Sequence, residues 1–522
     1  MKILIHNGKI WTGENSFVHC LGFNNDSGEI TFTGFILSGK KFEYDLLIDL
    51  KGKVVIPSFF DGHTHLRKGS EMKNEINLKN LSTPNEINEK IKSYLSEHSV
   101  KWLTGGYFTE SDFKGNFKID KTFLDEVSLN IPIFLSRIDL HSAIINSKAI
   151  ELSGLKSKIT EFSKDEIIVN DKGEMTGEVK ERAMDYMLGI IPKVAPATLA
   201  GYINDEIKYM NSLGITHLTD ISLPEDLEAY KILFENYSPN IFINSSLPFE
   251  NFKDIQKLKS PFEGFEKYIQ FGSFKAFYDG SLSSQSAYFK KNYKNQEHNG
   301  LRTEFVNSGE FEKIGLEIDK SGGQLLVHAI GDLAIKEVLD FVENLNAKNG
   351  EWDRRFRIEH AQHIDKNDIK RFQTLGVIAS VQPAHLYVDE AVAEKYLDDT
   401  STLHSYKQIS DDNKSKLVFG TDFPVASENP FETIYEAMSR KTKMHPEGFN
   451  KNYAFDLINC LQAYTINNSY AAFQENNFGI LKKGFQANFI VLNNDIFKAK
   501  INEIKDIKVE KTFYKGKLIY EK

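Results

Sequence analysis

Cysteine is nearly absent: Cys20 and Cys460 are the only two among 522 residues, and no CxxC spacing occurs. That excludes a disulfide framework and a thiolate zinc site, and fits a reducing, cytoplasmic setting. No run approaches about 18 consecutive apolar residues, so no membrane-spanning helix is expected. The opening MKILIHNGKIWTG reads as a strand and a turn. Its apolar stretch is too short, and it lacks the small-residue cleavage site, for a signal peptide. Basic blocks are missing as well: the net charge is −9, and no Lys/Arg-rich run interleaves with aromatics. A nucleic-acid surface is therefore not expected. Repeats at solenoid periods and low-complexity tracts are also lacking.

What is present is an ordinary globular composition, 41% hydrophobic and 26% charged. The length suggests several domains, although a barrel with insertions absorbs most of it. Residues 1–57 hold short strand-like runs, KILIHNGKIW, EITFTGFIL, YDLLIDL and KVVIP, and the chain from about Phe478 has the same texture. These distant ends can pair into one small sheet domain. Between them, strand-like runs alternate with helical patterns: SFFDGHTH, GITHLTD, NIFINSSL, YIQFGSFKAF, QLLVHAI, FRIEHA, GVIASVQP and KLVFGTDFP. Eight such units predict a (β/α)8 barrel over residues 58–474. The stretch from about 67 to 212 breaks the rhythm and reads as an insertion with a strand of its own at IPIFLSRI.

His63 and His65 stand two residues apart, so both point to one side of a strand. His328, His360 and Asp422 close the fifth, sixth and eighth runs, at the edge where barrel active sites are built. Singly, each histidine reads as a rim or core residue and Asp422 as a turn residue. Together, a His/carboxylate cluster suits zinc or a similar divalent ion. Gln382, ending the seventh run, is a candidate support or substrate contact, and Asp279 in DGSL a candidate pocket residue. His217 reads as a core histidine, and His363 and His385 carry no assigned role.

The segments VVIPSFFDGHTH, SRIDLHSAIINSKAI, GEMTGE, KAFYDGSLSS, VHAIGDLAI, RIEHAQ, SVQP, GTDFPV and GILKKGFQANFIVL occur in this order. With them the chain resembles the amidohydrolase superfamily, and within it the YtcJ-like branch that includes N-substituted formamide deformylase. The resemblance implies a β-sandwich from residues 1–57 and 475–522. It also implies one or two divalent ions, zinc by family habit, on His63, His65, His328, His360 and Asp422. Lys275 falls where many members carry a carboxylated lysine, with a salt bridge to Asp279 as its plain alternative and Glu181 as a less favoured carboxylate. His141 and Asn146 match a segment expected to close over the barrel mouth, with substrate contact and helix capping and packing as the two readings. Pro57-Ser58 and Asn488 depart from the family pattern at positions that are not ligands. The implied activity is hydrolysis of a non-peptide C–N bond in a small amide or formamide, with Asp422 as general base and acid. Ester, lactone or phosphoester hydrolysis and a non-catalytic scaffold are the alternatives, and a homodimer is a family-level expectation.

Overall fold

Eight parallel strands hydrogen-bond to one another in chain order: β1 (Phe59–Thr64), β2 (Ile215–Ile221), β3 (Phe242–Pro248), β4 (Ile269–Phe277), β5 (Gln324–Ala329), β6 (Arg357–His360), β7 (Ile378–Val381) and β8 (Leu417–Phe419). Each coincides with one of the eight apolar runs, β2 and β3 extending one residue beyond theirs. This computed structural model describes every residue except 15, 36–42, 99, 116, 138–140 and 411–415. The ends of EITFTGFIL and IPIFLSRI, and the second to fourth residues of RIDLHSAIINSKAI, therefore lie outside the described residues.

β1, β5, β6, β7 and β8 are buried along their whole length, as strands covered on both faces must be, which is why they read as continuous apolar runs. Helices follow the strands. The helix Asp332–Asn349 after β5 buries Ala334, Ile335, Val338, Leu339, Val342 and Leu345, the 3.6-residue stripe of a helix lying on a sheet.

The barrel closes where β1 meets the end of β8. Asp422 N–H donates to the His63 carbonyl at 2.7 Å, and His65 N–H donates to the Phe423 carbonyl at 2.8 Å. This approach needs a residue without a side chain at Gly420, where a Cβ would stand 2.4 Å from His63 N. Gly420→Ala is accordingly expected to push β8 off β1 and cost about 1–3 kcal/mol. A lowered urea midpoint would report it, and an unchanged midpoint would mean the closure has slack.

The chain ends build two further sheets. Strands Lys517–Glu521, Val509–Tyr514, Phe489–Leu492, Val54–Pro57, Lys9–Trp11 and Phe17–Val18 form one, in that order. The other runs Ile30–Gly34, Cys20–Asn24, Lys2–His6, Leu46–Asp49. Ile3, Ile5, Leu21 and Phe23 of the second sheet share a core with Ile10, Val55, Phe489, Val491 and Phe513 of the first. That is the packing of a sandwich. Ser58, where the family has glycine, bonds the Thr216 hydroxyl at 2.6 Å and so ties β1 to β2.

Residues Lys68–Tyr202 form a compact unit of their own, and the helix Pro196–Ser212 runs across its boundary. Its six-stranded sheet has Ile133–Arg137 near the centre. Ile133 and Leu135 enter one apolar core and Phe134 the other, the alternation expected of a strand with two covered faces. Among the described residues no helix is long and apolar enough to cross a membrane.

Candidate metal centre

The C-terminal ends of the barrel strands deliver the polar side chains. His63 lies within β1 and His65 just beyond it, their rings 5.6 Å apart. His63 and His360 rings are 5.1 Å apart, and His328 and His360 rings 4.5 Å. Asp422 Oδ1 lies 3.1 Å from His65 Nε2 and 3.5 Å from His63 Nε2. The donor atoms of His63, His65 and Asp422 all fall within 4.8 Å of one another, and so do those of His360, His385 and Asp422. His360 and Asp422 have φ of 73° and 56°, a left-handed backbone that non-glycine residues seldom adopt. Strain of this kind gathers at functional sites.

Each ring is held by its other nitrogen. His63 Nδ1 donates to Glu359 Oε2 at 2.5 Å, His360 Nδ1 to Gln382 Oε1 at 2.9 Å, and His328 Nε2 to the Gly280 carbonyl at 3.3 Å. The remaining nitrogen of each ring then carries a lone pair, the state in which imidazole binds a metal. Asp61 fixes the strand below by accepting from His63 N–H, Thr421 N–H and the Thr421 hydroxyl.

Buried polar atoms normally find partners, yet His63 Nε2, His328 Nδ1, His385 Nε2, Lys275 Nζ and Asp422 Oδ1 have no regular hydrogen bond. Five such orphans on one barrel rim fit a bound metal ion. Lys275 is only 3% exposed. Its expected alternative partner, Asp279, instead accepts from the backbone N–H groups of Tyr288, Ile330 and Gly331.

Electrostatics keeps the site ready to ligate. Burial, reinforced by the Lys275 charge, lowers His63 to about 4 and His328 to about 3, so both rings are neutral at pH 7. Burial also lowers Lys275, to about 8. For Asp422, burial works upward, but the His65, His63 and His360 rings outweigh it and hold the carboxyl well below its ordinary range. Between about pH 6.5 and 4 the unfolded chain binds protons that folded His63 and His328 refuse. Stability of chelator-treated protein is therefore expected to fall as the pH drops through that window. Urea midpoints at pH 7 and pH 5 measure it, and equal midpoints would mean the folded rings take up protons.

Three side chains considered for substrate contact, Asn146, Asp279 and Gln382, are hydrogen-bonded within the protein. Asn146, at 0% exposure, accepts from Ile133 and Ala149 N–H and donates to the Ser128 and Ile131 carbonyls, which spends all its hydrogen-bonding capacity on one helix-capping bond and three bonds to the preceding backbone. Asp279 is buried against backbone donors with His328 Nε2 at 3.6 Å, and Gln382 orients His360. His141 is exposed, and its ring faces the exposed Glu181 at 3.4 Å. His217 is a core residue stacked 3.7 Å from Phe478, with Nδ1 bonded to Thr216. His363 is buried and bonds Thr402 through Nδ1 at 3.3 Å.

Two participants escaped the sequence reading. His385, in the short helical turn Pro383–His385 after β7, brings Nε2 to 4.0 Å from Asp422 Oδ2. Glu359 is wholly buried and paired with Arg357 through bonds of 2.8 and 3.1 Å. Its signal was the alternation in RIEH, which sends Arg357 and Glu359 to the same side of β6.

Residues 46–520 match the amidohydrolase family. Protein LONG AFTER FAR-RED 3 of Arabidopsis thaliana is 29% identical over 99% of this chain and 91% of its own length. YtcJ of Bacillus subtilis, named an amidohydrolase on a provisional footing, is 27% identical over 91% of this chain and 90% of its own length. The N-substituted formamide deformylase of Arthrobacter pascens is 24% identical over the same shares. Among solved structures, an uncharacterized metal-dependent hydrolase from Pyrococcus furiosus superposes with a TM-score of 0.77 at 24% identity, covering 95% of this chain and 99% of that one. With the barrel, the rim histidines and Asp422 in place, the chain belongs to the amidohydrolase family.

Proposed function

We propose that this protein hydrolyses a C–N bond, other than a peptide bond, in a small-molecule amide or formamide. The observation that carries this reading is the set of five buried polar atoms without a regular hydrogen bond on one rim. A divalent ion held there, with zinc the first candidate, supplies an acidified water and a Lewis acid toward a carbonyl. His63, His65, His328 and His360 hold it, and His385 adds a donor beside His360. Lys275 has a buried amine with no hydrogen-bond partner, and as a carbamate it would offer an anionic oxygen in place of an ammonium that cannot ligate. Asp422 takes the proton of the attacking water and returns it to the departing amine, acting as base and then acid. The breaking bond leaves a carboxylic or formic acid and the free amine, so atoms and protons balance.

The choice of an amide over an ester draws support from the deformylase relative. The test is a screen of N-formyl and N-acyl amines beside esters, lactones and phosphoesters on metal-loaded protein, with Lys275→Ala in parallel. Turnover of amides that falls together with metal content in the variant supports the reading. Turnover of esters alone moves the reaction to another bond, and bound metal with no turnover leaves a binding scaffold.

A further inference from the structure

A second group of ligand-type side chains lies outside the centre described above. The helix Leu386–Tyr396, which follows His385, carries Glu390 and Glu394 one turn apart and therefore on one face. The segment after the helix Pro430–Ser439 presents His445 to them. His445 Nε2 lies 3.1 Å from Glu390 Oε1 and 3.4 Å from Glu394 Oε1. The three donor atoms fall within 4.8 Å of one another. On the far side of the ring, Glu447 Oε1 stands 3.2 Å from Nδ1.

Three features point to a ligand here. Glu390 is 1% exposed; its carboxylate faces His445 Nε2, the Thr442 hydroxyl and the Glu394 carboxyl, and none of them makes a hydrogen bond of regular geometry to it. A buried carboxylate left this way is costly unless a cation completes it. No lysine or arginine pairs with Glu390 or Glu394 among the described residues, so three carboxylates surround a single imidazole.

The spacing is the second feature. Charge-assisted N–H to carboxylate bonds run at about 2.7–2.9 Å. Ligands sharing a tetrahedral zinc at about 2.0–2.1 Å stand about 3.3–3.4 Å apart. The 3.4 Å separation from Glu394 falls in the second range and the 3.1 Å separation from Glu390 lies midway between the two, and the rim centre shows a similar pair, with 3.1 and 3.5 Å between Asp422 and its two histidines.

The third is orientation. A carboxylate on Nδ1 fixes the tautomer that turns the Nε2 lone pair toward Glu390 and Glu394, the arrangement that backs metal-bound histidines. The turn that carries the ring is itself pinned, with His445 N–H donating to the Thr442 hydroxyl at 3.0 Å and Thr442 and Gly448 N–H donating to the His445 carbonyl.

We propose that Glu390, Glu394 and His445 form a second divalent-metal site, of zinc type with one position open to water, tying the helix after β7 to the segment after β8. The site is independent of the hydrolytic reading, because none of its ligands serves the rim centre. It braces the helix that begins beside His385.

The test is zinc content per chain, by elemental mass spectrometry after dialysis against buffered zinc. Full-length wild-type protein is compared with Glu394→Gln and His445→Ala. Glu394 is one-third exposed, so its amide variant is expected to fold, which circular dichroism checks. Both variants should lose one zinc equivalent per chain, and Glu447→Gln should weaken that equivalent about 10–100-fold. Conversely, a His63→Ala His65→Ala protein should still take up one equivalent that His445→Ala removes. Equal zinc in wild type and both single variants would overturn the site and leave an ion pair between protonated His445 and its carboxylates.

Discussion

Asp422→Asn is expected to keep its metal and lose about 10²–10⁴-fold in kcat/KM, the range that a positioned general base contributes. The side chain is nearly unchanged in shape, and its Oδ1 remains a neutral oxygen beside His63 and His65. What disappears is the ability to take a proton. In the wild type that ability is poised by opposing forces: burial disfavours the carboxylate, while the His65, His63 and His360 rings favour it strongly enough to keep it ionised at neutral pH. The variant has no acid limb from this group, so its residual rate should rise with hydroxide concentration instead of levelling off. Metal content, kcat/KM and the pH–rate profile on one preparation decide the matter. Full activity would remove Asp422 from proton transfer, whereas loss of metal together with activity would make it a ligand before anything else.

The barrel was legible because strands buried on both faces must be apolar throughout, so runs such as QLLVHAI stand out between polar connections. The rim cluster was legible for a related reason. A histidine or aspartate that interrupts such a run toward its C-terminal end breaks a rule that the rest of the run obeys, and five such breaks fell on the same edge. His385 broke no rule: it follows a proline after β7, where polar residues are ordinary, and only the turn Pro383–His385 swings it toward Asp422. Asn146 was open in the sequence: an asparagine in a motif offers the same four hydrogen-bonding groups to a substrate as to a helix cap and its neighbours, and only the surrounding backbone shows that all four are taken. The Glu390, Glu394 and His445 group was invisible for want of proximity, since its members come from two separate segments that meet only in the folded barrel.

Glu359→Gln is expected to cost about 3–5 kcal/mol of stability, because it strands Arg357 in the barrel interior. The Arg357 guanidinium donates to both Glu359 oxygens, to the Gly62 carbonyl at 2.7 Å and to the Ser380 hydroxyl at 2.9 Å, and it has no access to water. Only the carboxylate neutralises it. Burial alone would push Glu359 upward, but the Arg357 charge and the His63 hydrogen bond hold it well below the ordinary range. This contribution is therefore complete above the unfolded carboxylate value, near pH 4.5, and is lost only as the pH falls toward the depressed one. The same residue orients His63, so metal affinity should drop about 10–100-fold as well. A second substitution separates the two effects. Arg357→Met added to Glu359→Gln removes the unpaired charge and should restore much of the lost stability, while the His63 ring still lacks its carboxylate and metal binding stays weak. Recovery of both together would mean that Glu359 acts on the centre only by keeping the barrel folded, and recovery of neither would mean that Arg357 has a second charge partner within the barrel.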